Sequence, residues 1–375
     1  MTPTAGHPTW AERLRAFLNR DLGRSRDANH DDADIDDADN DDSDPSEPLT
    51  AFVLAGGGSR GAVQIGMLSE LTRRGIRADR VYGASVGAIN GAAYAGSPTL
   101  EGIAHMADVW IRVTGTDIFP RGTFDGPWAY FQKRPAVHSN RGLRTIIEDG
   151  LDYENLEEAE IPVEVVTTSL IDGRERWIRQ GPAVEAVLAS SAIPSLFPPV
   201  VVNGEELIDG GVVDNVPISR ALAAGCRRIY VLLCGPLHYQ PRQARRPIEA
   251  TLTAFFIAVH ARFARELAVL PPDVEVIVFS GGGEPASQYR DFSGTQALIE
   301  EGRQEVCLVL DRYVGTSQDL GDAAGAPPHT AGPVVADQAA PDSPAPDSPA
   351  PDGATFVAEP VPTEPVPAPS SPGAP

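Results

Sequence analysis

From residue 50 to residue 313, strand-length apolar runs alternate with stretches of helical spacing. Ala51–Ala55 is an unbroken apolar run that ends in three glycines. A helix is expected from about Ser59 to Arg74, stopped by Gly75. Arg80–Ala84 reads as a short strand and Val86–Tyr94 as a helix of small residues. Leu100–Ile111 and Asn140–Glu148 have helical spacing. Val163–Ser169 and Arg174–Arg179 flank Asp172-Gly173, a hairpin signal, and Asn203-Gly204 marks a second hairpin before a strand at Glu206–Ile208. Between the two, Ala183–Ser190 reads as a helix that stops before Pro194. Strand Arg228–Cys234, helix Ile248–Leu270, strand Val274–Phe279 and helix Gly294–Tyr313 complete the series. Such alternation predicts an α/β fold with a mainly parallel sheet covered on both faces.

Outside this body the patterning changes. Trp10, Leu14, Phe17, Leu18 and Leu22 fall at helical spacing, with Arg13, Arg15 and Arg20 on the remaining faces. A basic amphipathic helix of this kind can make peripheral membrane contact, dock on its own domain or fray. Residues 27–47 then hold ten Asp and one Glu without a Lys or Arg. That run cannot bury enough apolar surface to offset its ordering entropy, so a disordered acidic linker is expected over 27–49. Its Asp spacing lacks the central Gly and closing Glu of a calcium loop. Residues 316–375 carry 15 of the 35 prolines and repeat Pro-Asp-Ser-Pro-Ala from Pro341 to Ala350, which predicts an extended spacer. The expected division is therefore 1–26 (helix), 27–49 (linker), 50–315 (folded domain) and 316–375 (disordered tail).

Charge follows the same division. The 375-residue chain has a formal net charge of −22. The acidic run contributes −11, the tail −8 and residues 1–26 +3, so 48–315 is only mildly acidic at −6. An acidic chain is a poor nucleic-acid backbone binder, and no nucleic-acid partner is expected. Three cysteines, Cys226, Cys234 and Cys307, have no metal-ligand spacing and argue against a disulfide scaffold. No metal site is expected. The sequence has no run of 18 apolar residues and no basic-then-apolar start, so a cytoplasmic protein is the default expectation.

Three constellations carry candidate chemistry. Gly56-Gly57-Gly58-Ser59-Arg60-Gly61 follows the first strand and opens a helix. Glycines let backbone approach a ligand closely, and a helix start presents free N–H groups, so this loop can hold a pyrophosphate or an oxyanion. A dinucleotide site would need an acidic residue at the end of the second strand; the candidate Asp79 precedes that strand instead. Gly83-Ala84-Ser85-Val86-Gly87 lies between a strand and a helix, the context of a nucleophile elbow. The alternative for Ser85 is a plain helix N-cap. Asp209-Gly210-Gly211 ends a short strand: an ordinary turn, or a carboxylate beside glycines that admit another backbone.

A serine nucleophile needs a proton acceptor and an oxyanion site. The glycine loop can supply the second. For the first, His238 lies in a Pro-flanked loop, His260 inside a helix and His329 in the tail, and none is aimed at the serine from a strand end. That leaves Asp209 as the direct base, with Leu207, Ile208, Val212 and Val213 to desolvate it.

In this order, the three motifs resemble the patatin-like phospholipase family, particularly its bacterial single-domain members. The segment Leu188-Ala189-Ser190-Ser191-Ala192-Ile193-Pro194-Ser195-Leu196-Phe197-Pro198-Pro199 resembles it too, as does Asp291-Phe292-Ser293 with the helix after it. The resemblance covers roughly 50–313. It implies a three-layer α/β/α sandwich and a Ser-Asp dyad, with Ser85 acylated and Asp209 accepting the proton. It implies an oxyanion hole from the N–H groups of Gly57 and Gly58, with Arg60 as the basic residue of that loop. Gly56, Gly61, Gly83, Gly87, Gly210 and Gly211 would be motif-supporting positions. The implied substrates are lipid acyl esters, hydrolysed without a cofactor. Three other readings are a His-dependent hydrolase of small soluble esters, a nucleotide-binding module on the glycine loop, and a catalytically silent adaptor.

Overall fold

The computed structural model describes residues 48–119, 136, 138–237, 247–283, 291–321 and 334–335. The expected N-terminal helix, the acidic linker, the Pro-Asp-Ser-Pro-Ala repeat, His238 and His329 lie outside the described residues. The nine described strands form one sheet. They are β1 (Thr50–Leu54), β2 (Arg80–Gly83), β3 (Val163–Ser169), β4 (Glu175–Ile178), β5 (Val200–Val202), β6 (Glu205–Asp209), β7 (Arg228–Leu232), β8 (Glu275–Phe279) and β9 (Val334–Val335). Strands β3, β2, β1, β7, β8 and β9 run parallel in that order, β4 and β6 run antiparallel to β3, and β5 pairs antiparallel with β6. The fold is the expected mixed α/β sandwich.

Helices cover both faces because the central strands are apolar on both. On the face of Phe52 and Leu54 lie α1 (Ala62–Arg73), α2 (Val86–Gly96), α3 (Leu100–Arg112) and the single turn α4 (Gly115–Ile118). The same face carries α5 (Arg141–Gly150), α6 (Ala183–Ser190) and α9 (Thr295–Gly321). On the face of Ala51 and Val53 lie α7 (Ile218–Ala223) and α8 (Pro247–Ala268), the latter through the buried Phe263. Glycines set the closest helix crossing: a Cβ at Gly66 would lie 1.8 Å from the Ile299 carbonyl oxygen, and one at Gly302 2.0 Å from that of Val63. Helix α1 therefore meets α9 backbone to backbone.

Two boundaries differ from the sequence reading. Helix α9 runs to Gly321, past the tail boundary placed at 315, because no proline interrupts the chain before Pro327. Val334–Val335 then adds a short strand beside β8. Among the described residues no helix is long and apolar enough to cross a membrane.

One feature of the sheet positions the site. Strand β4 takes one edge of β3, while β2 and β6 share the other. Strand β2 pairs with Val163–Val165 and β6 with Thr167–Ser169, running in opposite directions. The two strands therefore meet end to end beside β3, with Ala84-Ser85 leaving one and Asp209 ending the other.

Candidate active site

Register alone brings the motifs together. Gly83 pairs with Val165, so Ser85 comes level with Thr167, which pairs with Asp209. Leu54 pairs with Gly83 on one side and Leu232 on the other, so Gly56 arrives level with Ser85 and Cys234. The glycine loop, the serine elbow and Asp209 thus converge by strand geometry.

Ser85 sits at φ 53 and ψ −124. A non-glycine residue at such angles costs on the order of 1–3 kcal/mol and persists only where its surroundings hold it. It occupies the N-cap position of α2, yet its side chain makes no capping hydrogen bond. The hydroxyl is left for other work. The flanking glycines make the elbow possible: a Cβ at Gly83 would meet the Gly87 carbonyl oxygen at 2.5 Å, and one at Gly87 the Leu54 carbonyl oxygen at 2.1 Å.

Neighbouring serines hold the elbow. The Ser85 N–H donates to Ser190 Oγ at 3.2 Å, and Ser190 Oγ–H donates to the Val166 carbonyl at 2.6 Å. Ser191 Oγ–H donates to the Ser85 carbonyl at 3.0 Å. One residue further, the Ala192 carbonyl accepts from the Asp209 N–H at 3.0 Å. The last residue of α6 and the turn after it therefore grip the backbones of Ser85 and Asp209 together. These serines lie in the segment quoted for its resemblance, but sequence reading gave them no task.

Asp209 is buried, with Oδ1 accepting from the Gly211 N–H at 2.8 Å. Its other oxygen, Oδ2, has no hydrogen-bond partner. Burial pushes the carboxyl up to about 7, opposed first by the Ser85 hydroxyl and then by the Gly211 N–H. The Ser85 hydroxyl is close enough to the carboxyl to hold it down, while Oδ2 itself has no hydrogen-bond partner. Gly210 admits the close passage over β3, since a Cβ there would lie 2.1 Å from the Val166 carbonyl oxygen.

Asn215, which sequence reading missed, ties the third piece in. Its carbonyl accepts from the Gly56 N–H and its Nδ2 donates to the Gly56 carbonyl, both at 3.3 Å. Added Cβ atoms at Gly56 and Gly211 would lie 2.4 and 2.5 Å from Asn215 Oδ1, so one amide packs on both glycine motifs. A weak signal was available: an Asn six residues past Asp209, just before Val216-Pro217. Gly57 lies against Cys234, whose Cβ would be 2.2 Å from a Cβ on Gly57, and Gly58 takes φ +64. Arg60 packs its aliphatic stem over Gly282, in the loop after β8 whose Gly282 N–H is fixed by Glu301 Oε1 at 2.8 Å.

Beside Ser85 opens a cleft of about 540 Å³ including its mouth. Gly58, Ser59 and Ser191 join Ser85 at one end, and the rest of the wall is apolar. Trp110 stacks on Phe292 with centroids 6.2 Å apart, and Phe119 on Phe197 at 5.5 Å. The arrangement sets a serine hydroxyl, a buried carboxyl and a glycine loop beside an apolar slot.

The remaining candidates lie elsewhere. His260 Nδ1 and Nε2 face the carbonyls of Phe256 and Pro236 at 2.9 and 3.3 Å, and its ring lines a separate small pocket. Asp79 accepts from the Thr50 N–H at 2.6 Å, at the end of the sheet opposite the glycine loop. Cys226 and Cys234 are buried and Cys307 half-buried. Asp214, just past the Asp-Gly-Gly motif, is buried against Arg262 at 3.0 Å, and burial pushes it up to about 7 as well.

Residues 52–222 match the family model of the patatin-like phospholipases. The chain is 29% identical over 193 residues to the lysophospholipase NTE1 of Mycosarcoma maydis, covering 49% of this chain and 10% of that protein. It is 30% identical over 179 residues to the uncharacterized NTE family protein Rv1063c of Mycobacterium tuberculosis, covering 46% of each. It thus spans about half of the mycobacterial relative and a tenth of the fungal one. The solved structure of VipD from Legionella pneumophila is similar at 16% identity and a TM-score of 0.41, over 71% of this chain and 67% of that one.

Proposed function

We propose that this chain, whose residues 52–222 match the family model of the patatin-like phospholipases, is a serine acyl hydrolase of lipid esters working through Ser85 and Asp209. The observation that carries the reading is the meeting of β2 and β6 end to end. It sets an uncapped serine at a strained elbow against a buried carboxyl with one unpartnered oxygen.

Chemistry follows from that placement. Asp209, ionised, takes the proton of the Ser85 hydroxyl as Oγ attacks the ester carbonyl carbon. The carbonyl oxygen becomes an oxyanion held by the N–H groups of Gly57 and Gly58. Collapse breaks the C–O bond, and Asp209 returns its proton to the leaving alcohol. Water then attacks the acyl-serine, gives its proton to Asp209, and the fatty acid leaves as Ser85 recovers that proton. Arg60 stiffens the glycine loop from the side of β8. An apolar slot beside Ser85 suits a fatty acyl chain, and the lysophospholipase name of the fungal relative points to phospholipid or lysophospholipid esters. Such substrates sit in membranes or micelles, so peripheral contact with a lipid surface goes with the proposal. In this reading the hydrolase domain starts at residue 50 and includes α9.

The test is hydrolysis of a p-nitrophenyl acyl-ester series and of lysophosphatidylcholine by wild type, Ser85→Ala and Asp209→Asn, with intact mass after a fluorophosphonate probe. Turnover and one adduct on Ser85, both lost in Ser85→Ala, with turnover lost in Asp209→Asn, are expected. A folded wild type that neither turns over nor labels overturns the reading.

A further inference from the structure

The glycine loop is anchored at both ends by one chain of buried side-chain amides. Gln64 on α1 is fully buried, and its Nε2 donates to the carbonyls of Ala55 and Leu232, each at 2.9 Å. Ala55 is the residue before Gly56, so this bond fixes the loop's start. Asn90 on α2 is also buried; its Nδ2 donates to the Gly61 carbonyl at 2.9 Å and to Gln64 Oε1 at 2.8 Å. Gly61 is the loop's last residue. Asn90 Oδ1 accepts from Trp110 Nε1–H at 2.9 Å. The amide hydrogens of both side chains and the indole N–H are all used, so the network fixes which way each amide points.

Trp110 is where this network meets the cleft. Its ring forms part of the cleft wall. It also presses on the loop directly: a Cβ at Gly61 would lie 2.8 Å from Trp110 Cζ2. The face that meets an acyl chain therefore belongs to the side chain that orients Asn90, and Asn90 holds Gly61.

We propose that Trp110, Asn90 and Gln64 are positioning residues that couple occupation of the acyl cleft to the geometry of the oxyanion loop. An acyl chain packed on the indole holds the ring where its N–H reaches Asn90. Asn90 and Gln64 then hold Gly61 and Ala55, and with them the N–H groups of Gly57 and Gly58. Binding energy from the remote end of the substrate is thereby expressed at the reacting carbonyl, as a gain in kcat rather than a lower KM. The proposal rests on the acyl-hydrolase reading given above.

The experiment is steady-state kinetics on p-nitrophenyl esters from acetyl to dodecanoyl, with the rate of fluorophosphonate labelling of Ser85. It compares wild type with Trp110→Phe, and with a protein carrying benzothienylalanine at position 110, which keeps the indole shape and replaces N–H by sulfur. Wild-type kcat should rise with chain length until the cleft is filled. In both variants that rise should flatten, with kcat on long esters falling about tenfold or more and KM moving much less. Labelling should slow in parallel. Should Trp110→Phe fail to fold, the sulfur isostere alone decides. A variant profile parallel to wild type, with changes confined to KM, means that Trp110 only packs and overturns the proposal. So does a wild type that labels and turns over with kcat independent of chain length. A wild type that neither labels nor turns over overturns the acyl-hydrolase reading, and this one with it.

Discussion

The N–H of Ser85 has Ser190 Oγ as its hydrogen-bond acceptor, at 3.2 Å, from a helix more than a hundred residues away. Ser190 sits on α6 and its hydroxyl also donates to Val166 of β3, so it links the elbow to the strand that carries Asp209 at its edge.

Ser190→Ala should cost about 1–3 kcal/mol, since it leaves a buried N–H unpaired. It should also lower kcat by about tenfold to a hundredfold through displacement of the nucleophile. Ser191→Ala should cost less, because the Ser85 carbonyl keeps the N–H of Ala88 at 2.9 Å. Thermal melts and ester kinetics on the two variants check both; equal effects would show that the turn after α6 does not act through Ser190.

The pH profile should follow Asp209. Its carboxyl is pushed up to about 7 by burial, and only the ionised form accepts a proton from Ser85. kcat/KM should therefore climb about tenfold per pH unit below 7 and level off above it. A limb that ends near pH 4 instead would mean that the carboxylate is well solvated.

On the proposed mechanism the same carboxyl sets activity against stability. Its folded-state value lies above the ordinary 3.8, so the folded protein holds this proton more tightly than the unfolded chain. That contribution is fully present below about pH 4 and is lost as pH rises through about 7. At pH 8 the buried charge destabilises by up to about 4 kcal/mol on this shift. Asp209→Asn should thus raise Tm at pH 8 while removing activity, and the gain should vanish near pH 4. Asp214 drifts the same way and leaves a residual pH dependence in the variant. Differential scanning calorimetry at the two pH values reads the difference, and an unchanged Tm at pH 8 would contradict it.

Strand–helix alternation and turn dipeptides made most of this fold legible, since those signals are local. Asn203 and Gly204 take φ 52 and φ 82, as the two-residue turn between β5 and β6 requires. What the sequence could not carry was the end-to-end meeting of β2 and β6, which arises because both pair with the same edge of β3 although they lie far apart along the chain. For the same reason Asn215, Gln64 and Asn90 passed unnoticed: each is an ordinary polar residue until the fold buries it against the glycine loop. Ser85 and Asp209 were visible because their glycine neighbours mark places where backbones nearly touch.

The tightest of those places yields the last prediction. A Cβ on Gly57 would lie 2.2 Å from Cys234 Cβ and 3.0 Å from the Cys234 carbonyl oxygen. The first obstacle to a side chain there is this neighbour. Gly57→Ala should push the loop away from Cys234 and carry the Gly57 and Gly58 N–H groups off the proposed oxyanion position. Loss of one such donor costs about a hundredfold to a thousandfold in kcat elsewhere, and the same range is expected here with KM little changed. Cys234→Gly removes the closest clashing atom while leaving the carbonyl oxygen in place. The double variant Gly57→Ala/Cys234→Gly should therefore recover part of the lost kcat. If Cys234→Gly folds and Gly57→Ala is no faster beside it, contact with Cys234 is not what sets the loop.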